Sequence, residues 1–256
     1  MLRIDPISAF TDNYIWCLHD GKIAWVVDPG EAPPVTKFLA ANGLTLQGIL
    51  VTHHHGDHIG GIDDLLRQFP ALTVYGPHNP AISQITQRLR EGETVEVLGE
   101  TFSLLEVPGH TLDHIAYMST TLQPPVLFCG DTLFAAGCGR LFEGSPEQMY
   151  TSLKKIKHLP AATRVYCAHE YTQSNLRFAQ AVEPDNLALK QRAQSAEQTR
   201  AKHQPTVPST LALELETNPF LRADQAPVRA AALRRDPQSG NEIEIFASIR
   251  RWKDQF

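Results

Sequence analysis

The sequence lacks the features of a secreted, disulfide-bonded or membrane-spanning protein. It has four cysteines in 256 residues, widely spaced and with no C-x-x-C pair, which indicates neither a disulfide framework nor a thiolate zinc site. No apolar run approaches the roughly 18 residues that a membrane span needs, and the opening residues, MLRIDPISAF, contain no basic stretch followed by an apolar one. We therefore expect a soluble, unexported, cytoplasmic protein whose cysteines are reduced and mostly buried.

A surplus of positive charge is also missing. The net charge is −5 and the isoelectric point is near 6.1, whereas affinity for a nucleic-acid backbone comes from surplus lysine and arginine. We expect no nucleic-acid partner and no membrane partner. The composition does leave room for a local cationic site near the C-terminus, where five basic residues cluster: Arg234, Arg235, Arg250, Arg251 and Lys253.

Two parts of the chain differ in pattern. Up to about residue 170, short apolar runs such as IAWVVDPG, LTVYGP and PVLFCGDT end in turn residues, which predicts strands. Helical spacing over Ile62–Phe69 and, after the cap signal Ser145-Pro146, over Met149–Ile156 adds helices between them. We predict a mixed α/β catalytic domain over residues 1–171.

Beyond Tyr171 the pattern becomes helical. Residues 175–203 are rich in Ala, Gln, Lys, Arg and Glu, and a Pro-punctuated linker, QPTVPSTLALELETNPF, follows. The last segment carries Ile243, Phe246 and Ile249 at near-helical spacing. We predict a small helical, substrate-binding domain over residues 172–256.

Residues 52–58 read THHHGDH, which places four histidines and one aspartate in seven positions. The cluster is interior and follows the apolar run Ile49–Val51, so it is not a purification tag. A solvated polar loop is the other alternative, but such loops are usually built from different residue types. Because imidazole with carboxylate suits zinc or iron, the segment predicts metal binding.

Three later strand-like runs also end in a histidine or an aspartate: His110 in VPGHTLDH, Asp131 in LFCGDT and His169 in YCAHEY. Loops at one edge of a rigid sheet are where converging ligands are normally mounted. We therefore expect these three side chains to complete the ligand set begun by residues 52–58.

The spacing within residues 52–58 predicts two ions rather than one. In an extended stretch His53 and His55 project to the same side, whereas His54 projects away. His53 and His55 can share a first ion, which His110 would complete.

A turn at Gly56 would then let Asp57 and His58 open the helix that bears Ile62 and address a second ion, with His169. Asp131 is the natural bridge, since a carboxylate has two oxygens. Seven ligands are too many for a single tetrahedral zinc and right for two neighbouring ions.

Two further histidines have a supporting role in this prediction. His54 and His114 are expected to be hydrogen-bonding neighbours of the ligands, because ligating imidazoles need oriented partners.

Such a site predicts hydrolysis of an ester, thioester, amide or phosphoester. Two divalent ions that share a water lower its pKa and leave a hydroxide as the nucleophile. Asp57 could orient that hydroxide and take its proton. No G-x-S-x-G elbow and no Walker loop competes with this interpretation.

The motif H-x-H-x-D-H, followed by single His, Asp and His ligands, resembles the metallo-β-lactamase fold superfamily. Within it the chain is most similar to the glyoxalase II family, the hydroxyacylglutathione hydrolases, over essentially its whole length. The supporting stretches are DNYIW (12–16), VVDPGEA (26–32), THHHGDH (52–58), PGHT (108–111), FCGDTLF (128–134), GCGRLFEG (137–144), AHEYT (168–172), NPFLR (218–222) and KDQF (253–256).

The resemblance implies a four-layered αβ/βα sandwich that carries the dinuclear site, followed by a small helical domain that helps bind glutathione. It implies hydrolysis of S-(2-hydroxyacyl)glutathione, chiefly S-D-lactoylglutathione, to a 2-hydroxy acid and glutathione, the second step of methylglyoxal detoxification. Zinc is the expected metal, although the same ligands accept iron and manganese. We expect a monomer.

The chain departs from the family pattern at a few positions, none of which removes a ligand. Gly56 stands where Trp or His is common, and Asp113 where a glycine is common. Arg140 and Phe142 stand where some members have Lys and Tyr. The missing phenolic hydroxyl at Phe142 is expected to weaken one hydrogen bond to the substrate.

The glutathione contacts are predicted from charge. Arg250 and Lys253, three residues apart on a predicted helix, can present two cations to the carboxylates of glutathione. Arg140, Phe142 and Tyr171 are expected to line the same pocket. The alternative for Arg250 and Lys253 is a solvated helix end that complements the helix dipole.

Other functions of the same superfamily compete with this prediction. A persulfide dioxygenase holds a single iron by two His and one Asp, and lactonases and β-lactamases place different loops around similar metals. The alternative from another class is a scaffold that is non-catalytic or processes nucleic acid. The presence of all seven predicted ligands argues against a non-catalytic scaffold, and the net charge of −5 argues against a nucleic-acid partner.

Overall fold

The short apolar runs of the first part of the chain form strands, as predicted. The structure is a computed structural model that describes residues 2–256. The chain divides into two units, one holding residues up to Glu106 together with Asp113–Gly130, the other holding Val107–Leu112 and Asp131–Phe256. Each unit carries part of the predicted ligand set, and each is described by itself.

The first unit begins with a six-stranded sheet whose strands follow the order of the chain. Its strands are β1 (Arg3–Ala9), β2 (Asn13–His19), β3 (Ile23–Val27), β4 (Thr45–Leu50), β5 (Thr73–Pro77) and β6 (Gln87–Leu89). The first three pair antiparallel, and β3 to β6 pair parallel. Three helices connect them: α1 (Ala32–Asn42), α2 (Gly56–Ile59) and α3 (Ile62–Gln68).

Helices α1 and α3 pack their apolar residues against this sheet. Leu39 of α1 and Leu65 of α3 are buried together with Val26, Ile49 and Val74 of the sheet. Each such buried side chain contributes about 1.5–3 kcal/mol relative to an exposed one. The packing fixes the end of β4, from which the histidine-rich segment emerges.

A second run of strands in the first unit forms an antiparallel meander: β7 (Thr94–Val97), β8 (Glu100–Glu106), β9 (Ile115–Ser119) and β10 (Val126–Gly130). Tyr117 of β9 is fully buried, and its hydroxyl donates to the carbonyl oxygen of Val51 over 2.9 Å. Burial raises the pKa of Tyr117 well above its usual value. This hydrogen bond ties β9 to the residue that follows β4.

The second unit is mainly helical. Its strands are β11 (Leu133–Phe134), β12 (Gly137–Cys138), β13 (Arg164–Cys167) and β14 (Ser209–Thr210). Its helices are α4 (Pro146–Lys157), α5 (Thr172–Val182), α6 (Leu187–Ala201), α7 (Leu211–Thr217), a 3-10 helix (Pro219–Leu221), α8 (Ala226–Leu233) and α9 (Glu242–Asp254). The predicted start of α4 is confirmed, because Ser145 and Gln148 form a reciprocal capping box.

The helices of the second unit are short or polar on much of their surface. Helix α6 has 15 residues, and α9, capped by Asn241 with Glu244, has 13. Within residues 2–256, no helix combines the length and the apolar character that crossing a membrane requires.

Two sequence-based expectations about local structure are wrong. Residues 204–220, predicted as a linker, contain the helix α7, whose buried Glu214 accepts a hydrogen bond from the Ala136 amide over 2.8 Å. Asp57 and His58 lie on the one-turn helix α2 rather than on the helix that bears Ile62. The break lies at Gly60 and Gly61, and a Cβ at Gly61 would lie 2.6 Å from the Pro29 carbonyl oxygen, so the close approach to residue 29 requires a glycine there.

Candidate functional site

The first ligand group lies directly after β4. Residues 51–55 connect β4 to α2 without regular secondary structure; His53 is fully buried, and His55, whose backbone is extended, is half-buried. The Nε2 atom of His53 lies 3.2 Å from the Nδ1 atom of His55. On the following helix α2, the Nε2 atom of His58 lies 3.5 Å from the Oδ2 atom of Asp57.

Asp28, at the end of β3, orients two of these histidines. Its carboxylate accepts from the Thr52 amide and from the Thr52 hydroxyl, both over 2.7 Å, and from the Nδ1 atom of His58 over 3.0 Å. Since the Thr52 hydroxyl donates to Asp28, its oxygen accepts from the Nδ1 atom of His53 at 3.0 Å. Both imidazoles therefore carry their proton on Nδ1 and present the Nε2 lone pair to an ion.

Asp57 is held by a second buried neighbour. The Nδ2 atom of Asn13, at the start of β2, donates to the Oδ2 atom of Asp57 over 3.0 Å. Asn13 is 7% exposed, so its amide is fixed by the sheet. This bond holds the Asp57 carboxylate in one orientation beside His58.

The second ligand group lies in the second unit and comes from three separate loops. The two oxygens of Asp131 face two different imidazoles: Oδ2 lies 3.4 Å from the Nε2 atom of His110, and Oδ1 lies 3.4 Å from the Nε2 atom of His169. All three side chains are buried. The Nδ1 atom of His110 donates to the carbonyl oxygen of Arg140 over 2.8 Å, which leaves its Nε2 lone pair for an ion.

The spacing of both groups fits metal ligation. Two ligand atoms about 2.1 Å from a tetrahedral ion lie about 3.4 Å apart. The four ligand pairs measure 3.2 Å, 3.5 Å, 3.4 Å and 3.4 Å. Buried imidazole and carboxylate are also the donors that divalent zinc, iron and manganese share, so the residues present fit such ions.

The two histidines predicted to support the ligands lie beside them in the first unit. The Nδ1 atom of His54 pairs with Asp113 over 2.9 Å. The buried ring of His114 stacks on His53, with centroids 4.5 Å apart, and donates from Nδ1 to the Ile115 carbonyl oxygen.

The family models cover nearly all of the chain. That of the metallo-beta-lactamase superfamily matches residues 11–169, and one described as hydroxyacylglutathione hydrolase C-terminus matches residues 170–256. The hydroxyacylglutathione hydrolases of Cupriavidus taiwanensis and Pseudomonas aeruginosa are each 53% identical to it, over all of both chains. The chain belongs to the hydroxyacylglutathione hydrolase family.

Solved structures agree on the fold. The B3 metallo-beta-lactamase BLEG-1 superposes with a TM-score of 0.63 at 25% identity, covering 86% of this chain and 99% of that one. ETHE1 from Myxococcus xanthus gives a TM-score of 0.64 at 24% identity, covering 99% and 98%. The predicted metallo-β-lactamase fold with a helical C-terminal region, the family and the assignment as a hydrolase are confirmed, and the fold with its His/Asp groups supports divalent metals.

Two departures from the hydroxyacylglutathione hydrolase pattern have a local explanation. A Cβ at Gly56 would meet nothing within 4 Å, so the position tolerates a side chain but needs none. Asp113, where the family resemblance predicted a glycine, accepts from Asn79 over 2.8 Å as well as pairing with His54. Asp113 therefore fixes the His54 ring.

Three predicted substrate contacts of this hydrolase lie near ligands of the second group. Phe142 is 61% exposed, and its ring packs edge-on against His110 at 5.3 Å. Tyr171 stacks on His169 with centroids 4.7 Å apart. The exposed Arg140 guanidinium lies 6.0 Å from the Phe142 ring. Because Arg140, Phe142 and Tyr171 are all exposed, a small molecule can reach the three side chains.

The two predicted cations on α9 differ in their surroundings. Arg250 is 5% exposed, and its guanidinium donates to the carbonyl oxygen of Cys138 over 2.9 Å and to Asp254 over 3.1 Å. Lys253 is half-buried, with its Nζ atom 3.4 Å from the Ser174 carbonyl oxygen. Burial, with the nearby Arg250 and Arg177 charges, lowers the pKa of Lys253 to about 8.

Sequence reasoning missed Asp28, Thr52 and Asn13, which orient the ligands. A signal existed for Asp28, because VVDPG ends a strand-like run with an aspartate, just as LFCGDT does. Asn13 lies in the stretch DNYIW, but no local pattern predicts its contact with Asp57, which spans 44 positions.

Proposed function

We propose that this enzyme hydrolyses S-(2-hydroxyacyl)glutathione, including S-D-lactoylglutathione, to a 2-hydroxy acid and glutathione. Water attacks the thioester carbonyl, the C–S bond breaks, and the thiolate of glutathione leaves. The observation that carries the proposal is the placement of Asp131, whose two oxygens each face a different buried imidazole nitrogen at 3.4 Å. Relatives of the full length named for this activity support it.

We assign seven side chains to two ions, zinc in the first instance. The first ion's ligands are His53, His55 and His110, the second ion's are Asp57, His58 and His169, and Asp131 serves both. The ligand spacing measured within each unit and the tautomers held by Asp28, Thr52 and the Arg140 carbonyl support this assignment. When bound, the ions supply a lowered pKa for a shared water and polarisation of the thioester carbonyl.

Asp57 is the proposed catalytic residue. Its carboxylate orients the attacking water and accepts the proton that this water loses. The hydrogen bond from Asn13 supports this role, because it fixes the carboxylate beside His58.

Five side chains of the second unit are proposed to hold the substrate. Phe142 and Tyr171 offer exposed aromatic surface, and Arg140 and Lys253 offer cations for the two carboxylates of glutathione. Arg250, three positions before Lys253 on α9, is proposed to contribute a third cation from its mostly buried position. Because the glutathionyl part lies away from the scissile bond, these contacts contribute mainly to the Michaelis constant.

We also propose that the enzyme works as a cytoplasmic monomer with no nucleic-acid partner. The four cysteines are buried, and burial raises the pKa of Cys17 to about 12 and that of Cys138 to about 11. Such thiols stay protonated and inert at neutral pH, as suits a reducing compartment. Light scattering should report the single-chain mass of 28.4 kDa.

The test is an Asp131→Asn variant assayed for metal content and for hydrolysis of S-D-lactoylglutathione on the same preparation. An amide cannot serve as a two-oxygen anionic bridge, so we expect loss of at least one ion and of nearly all turnover. Asp236→Asn, at an exposed aspartate paired with Arg251, is the control and should behave like wild type. An Asp131→Asn protein with both ions and full turnover would refute the dinuclear assignment.

A further inference from the structure

Glu170 lies between two side chains of the proposed site. His169 is a proposed ligand of the second ion, and Tyr171 is a proposed substrate contact. Their rings stack with centroids 4.7 Å apart, and the Phe134 ring packs edge-on against both, at 5.8 Å and 5.2 Å. A shift of the backbone at Glu170 would therefore move the metal ligand and the substrate contact together.

The Glu170 side chain is held by a residue from a distant part of the chain. It is only 6% exposed, and Thr206, 36 positions later, donates to both of its oxygens. The Thr206 amide donates to Oε2 over 2.8 Å, and the Thr206 hydroxyl donates to Oε1. Because a buried carboxylate without partners is costly, these two bonds hold the side chain in one orientation.

A further hydrogen bond ties Thr206 to the residue on the other side of Tyr171. The Thr206 hydroxyl has one proton, which goes to Glu170 because a carboxylate only accepts. The hydroxyl of the buried Thr172 therefore donates to Thr206 over 2.6 Å. Thr206 thus holds the chain immediately before and immediately after the proposed substrate contact.

Arg200, near the end of α6, supports the same contact. Its Nη1 atom donates to the carbonyl oxygen of Gln204 over 2.8 Å and lies 3.6 Å from the Oε2 atom of Glu170. The segment that leads from α6 to Thr206 is therefore held by the helix that precedes it.

We infer that Thr206 is a positioning residue for the metal ligand His169 and the substrate contact Tyr171, acting through Glu170 and Thr172. The inference rests on the proposed function and deepens it. It gives a role to the segment between α6 and β14, which contains none of the predicted ligands or substrate contacts. Losing the Thr206 hydroxyl would remove one hydrogen bond from Glu170 and one from Thr172, and would let the two stacked rings reorient.

The experiment compares Thr206→Val with Thr206→Ser. Valine has nearly the shape of threonine but no hydroxyl, whereas serine keeps the hydroxyl. Thr101→Val is the matched control, because the Thr101 hydroxyl also donates to a glutamate, Glu96, over 2.6 Å, at an exposed position with no predicted part in the site.

Three quantities are measured on zinc- or cobalt-loaded protein. They are the rate of zinc release to a chelator, the visible spectrum of the cobalt form, and the steady-state constants for two thioesters. One thioester is S-D-lactoylglutathione, and the other is S-lactoyl-N-acetylcysteamine, which lacks the tripeptide. Circular dichroism checks that each variant is folded.

We expect Thr206→Val to release zinc about tenfold faster than wild type, the lower end of the effect of residues behind a metal ligand, because Thr206 acts through Glu170. Its cobalt spectrum should change, kcat for both thioesters should fall, and the Michaelis constant should rise more for the glutathione thioester. Thr206→Ser should restore wild-type behaviour, and Thr101→Val should match wild type throughout. If Thr206→Val does not fold, Glu170→Gln, which removes the charge from the same contact but keeps the shape, decides the result by the same measurements.

The inference is overturned if folded Thr206→Val releases zinc at the wild-type rate and keeps the wild-type cobalt spectrum, since the hydroxyl would then contribute to stability alone. It is also overturned if Thr206→Ser is perturbed as strongly as Thr206→Val, because the hydroxyl would then not carry the effect. A wild-type protein that hydrolyses neither thioester would instead defeat the proposed function, and the zinc-release and spectral measurements would still decide the inference.

Discussion

The two ligand groups are built in different ways. In the first unit, His53, His55, Asp57 and His58 follow one another within six positions and are oriented by buried side chains such as Asp28. In the second unit, three ligands come from three loops, and His110 is oriented by a backbone carbonyl rather than by a side chain.

The difference determines which parts of the molecule each group depends on. The first group depends on the sheet from which it emerges. The second depends on residues far apart in sequence, because the Nδ1 atom of His110 donates to the Arg140 carbonyl oxygen across 30 positions. A change in the segment around Arg140 should therefore disturb the second group, and a change at the start of β2 or the end of β3 should disturb the first.

The largest expected effect in the first group is that of Asp57→Ala. It removes both a ligand of the second ion and the proposed proton acceptor, so turnover on S-D-lactoylglutathione should fall about 10³-fold. The Michaelis constant should change far less. Steady-state kinetics measure both; unchanged turnover with weaker binding would place Asp57 in substrate recognition.

A smaller effect is expected from Asp28→Ala. Without its carboxylate, His58 and Thr52 lose a hydrogen-bond partner, and metal affinity should fall about 10- to 100-fold, as for other residues that orient ligands. Competition with a chelator measures the affinity. Asp5→Ala is the matched control, because Asp5 also pairs with a buried histidine, His19, over 2.7 Å but has no predicted part in ligation. Equal affinities in the two variants would contradict the role given to Asp28.

The smallest effect concerns the pH dependence of substrate binding at α9. Because burial, Arg250 and Arg177 lower the pKa of Lys253 to about 8, while Asp254 acts in the opposite direction, its ammonium is present below pH 8 and lost above it. The Michaelis constant for S-D-lactoylglutathione should therefore rise about threefold between pH 7 and pH 9, the size expected of a part-exposed ion pair.

Lys253→Arg sharpens this test, since a guanidinium keeps its charge through pH 9. The variant should show a flat Michaelis constant over the same range. A rise equal to that of wild type would assign the titration to another group and remove Lys253 from the proposed carboxylate site.

Local patterns in the sequence predicted much of the fold. The strand-like runs that became β3, β4, β5 and β10 are apolar and end in turn residues, and Ser145-Pro146 marked the start of α4. These signals depend only on neighbouring residues, and the structure confirms the elements that they predict. The helix α7 was missed because prolines flank a short segment whose stability depends on burying Glu214 against the Ala136 amide, 78 positions away.

The same distinction applies to the candidate site. The candidate ligands could be predicted because several strand-like runs are each followed by a histidine or an aspartate, a pattern that needs no tertiary information. The surroundings of Arg250 could not be predicted from the sequence. Its position on a basic helix end predicts an exposed cation, whereas the fold buries it against Cys138 and Phe220. Burial of a charge depends on which segments pack against it.

The central claim is that seven side chains hold two ions that share Asp131. Anomalous scattering at the zinc edge from crystals of the zinc-loaded enzyme tests it most directly. The account predicts two peaks, one bonded to His53, His55 and His110, the other to Asp57, His58 and His169, each about 2.1 Å from an oxygen of Asp131. A single peak, or two peaks of which only one contacts Asp131, would contradict it.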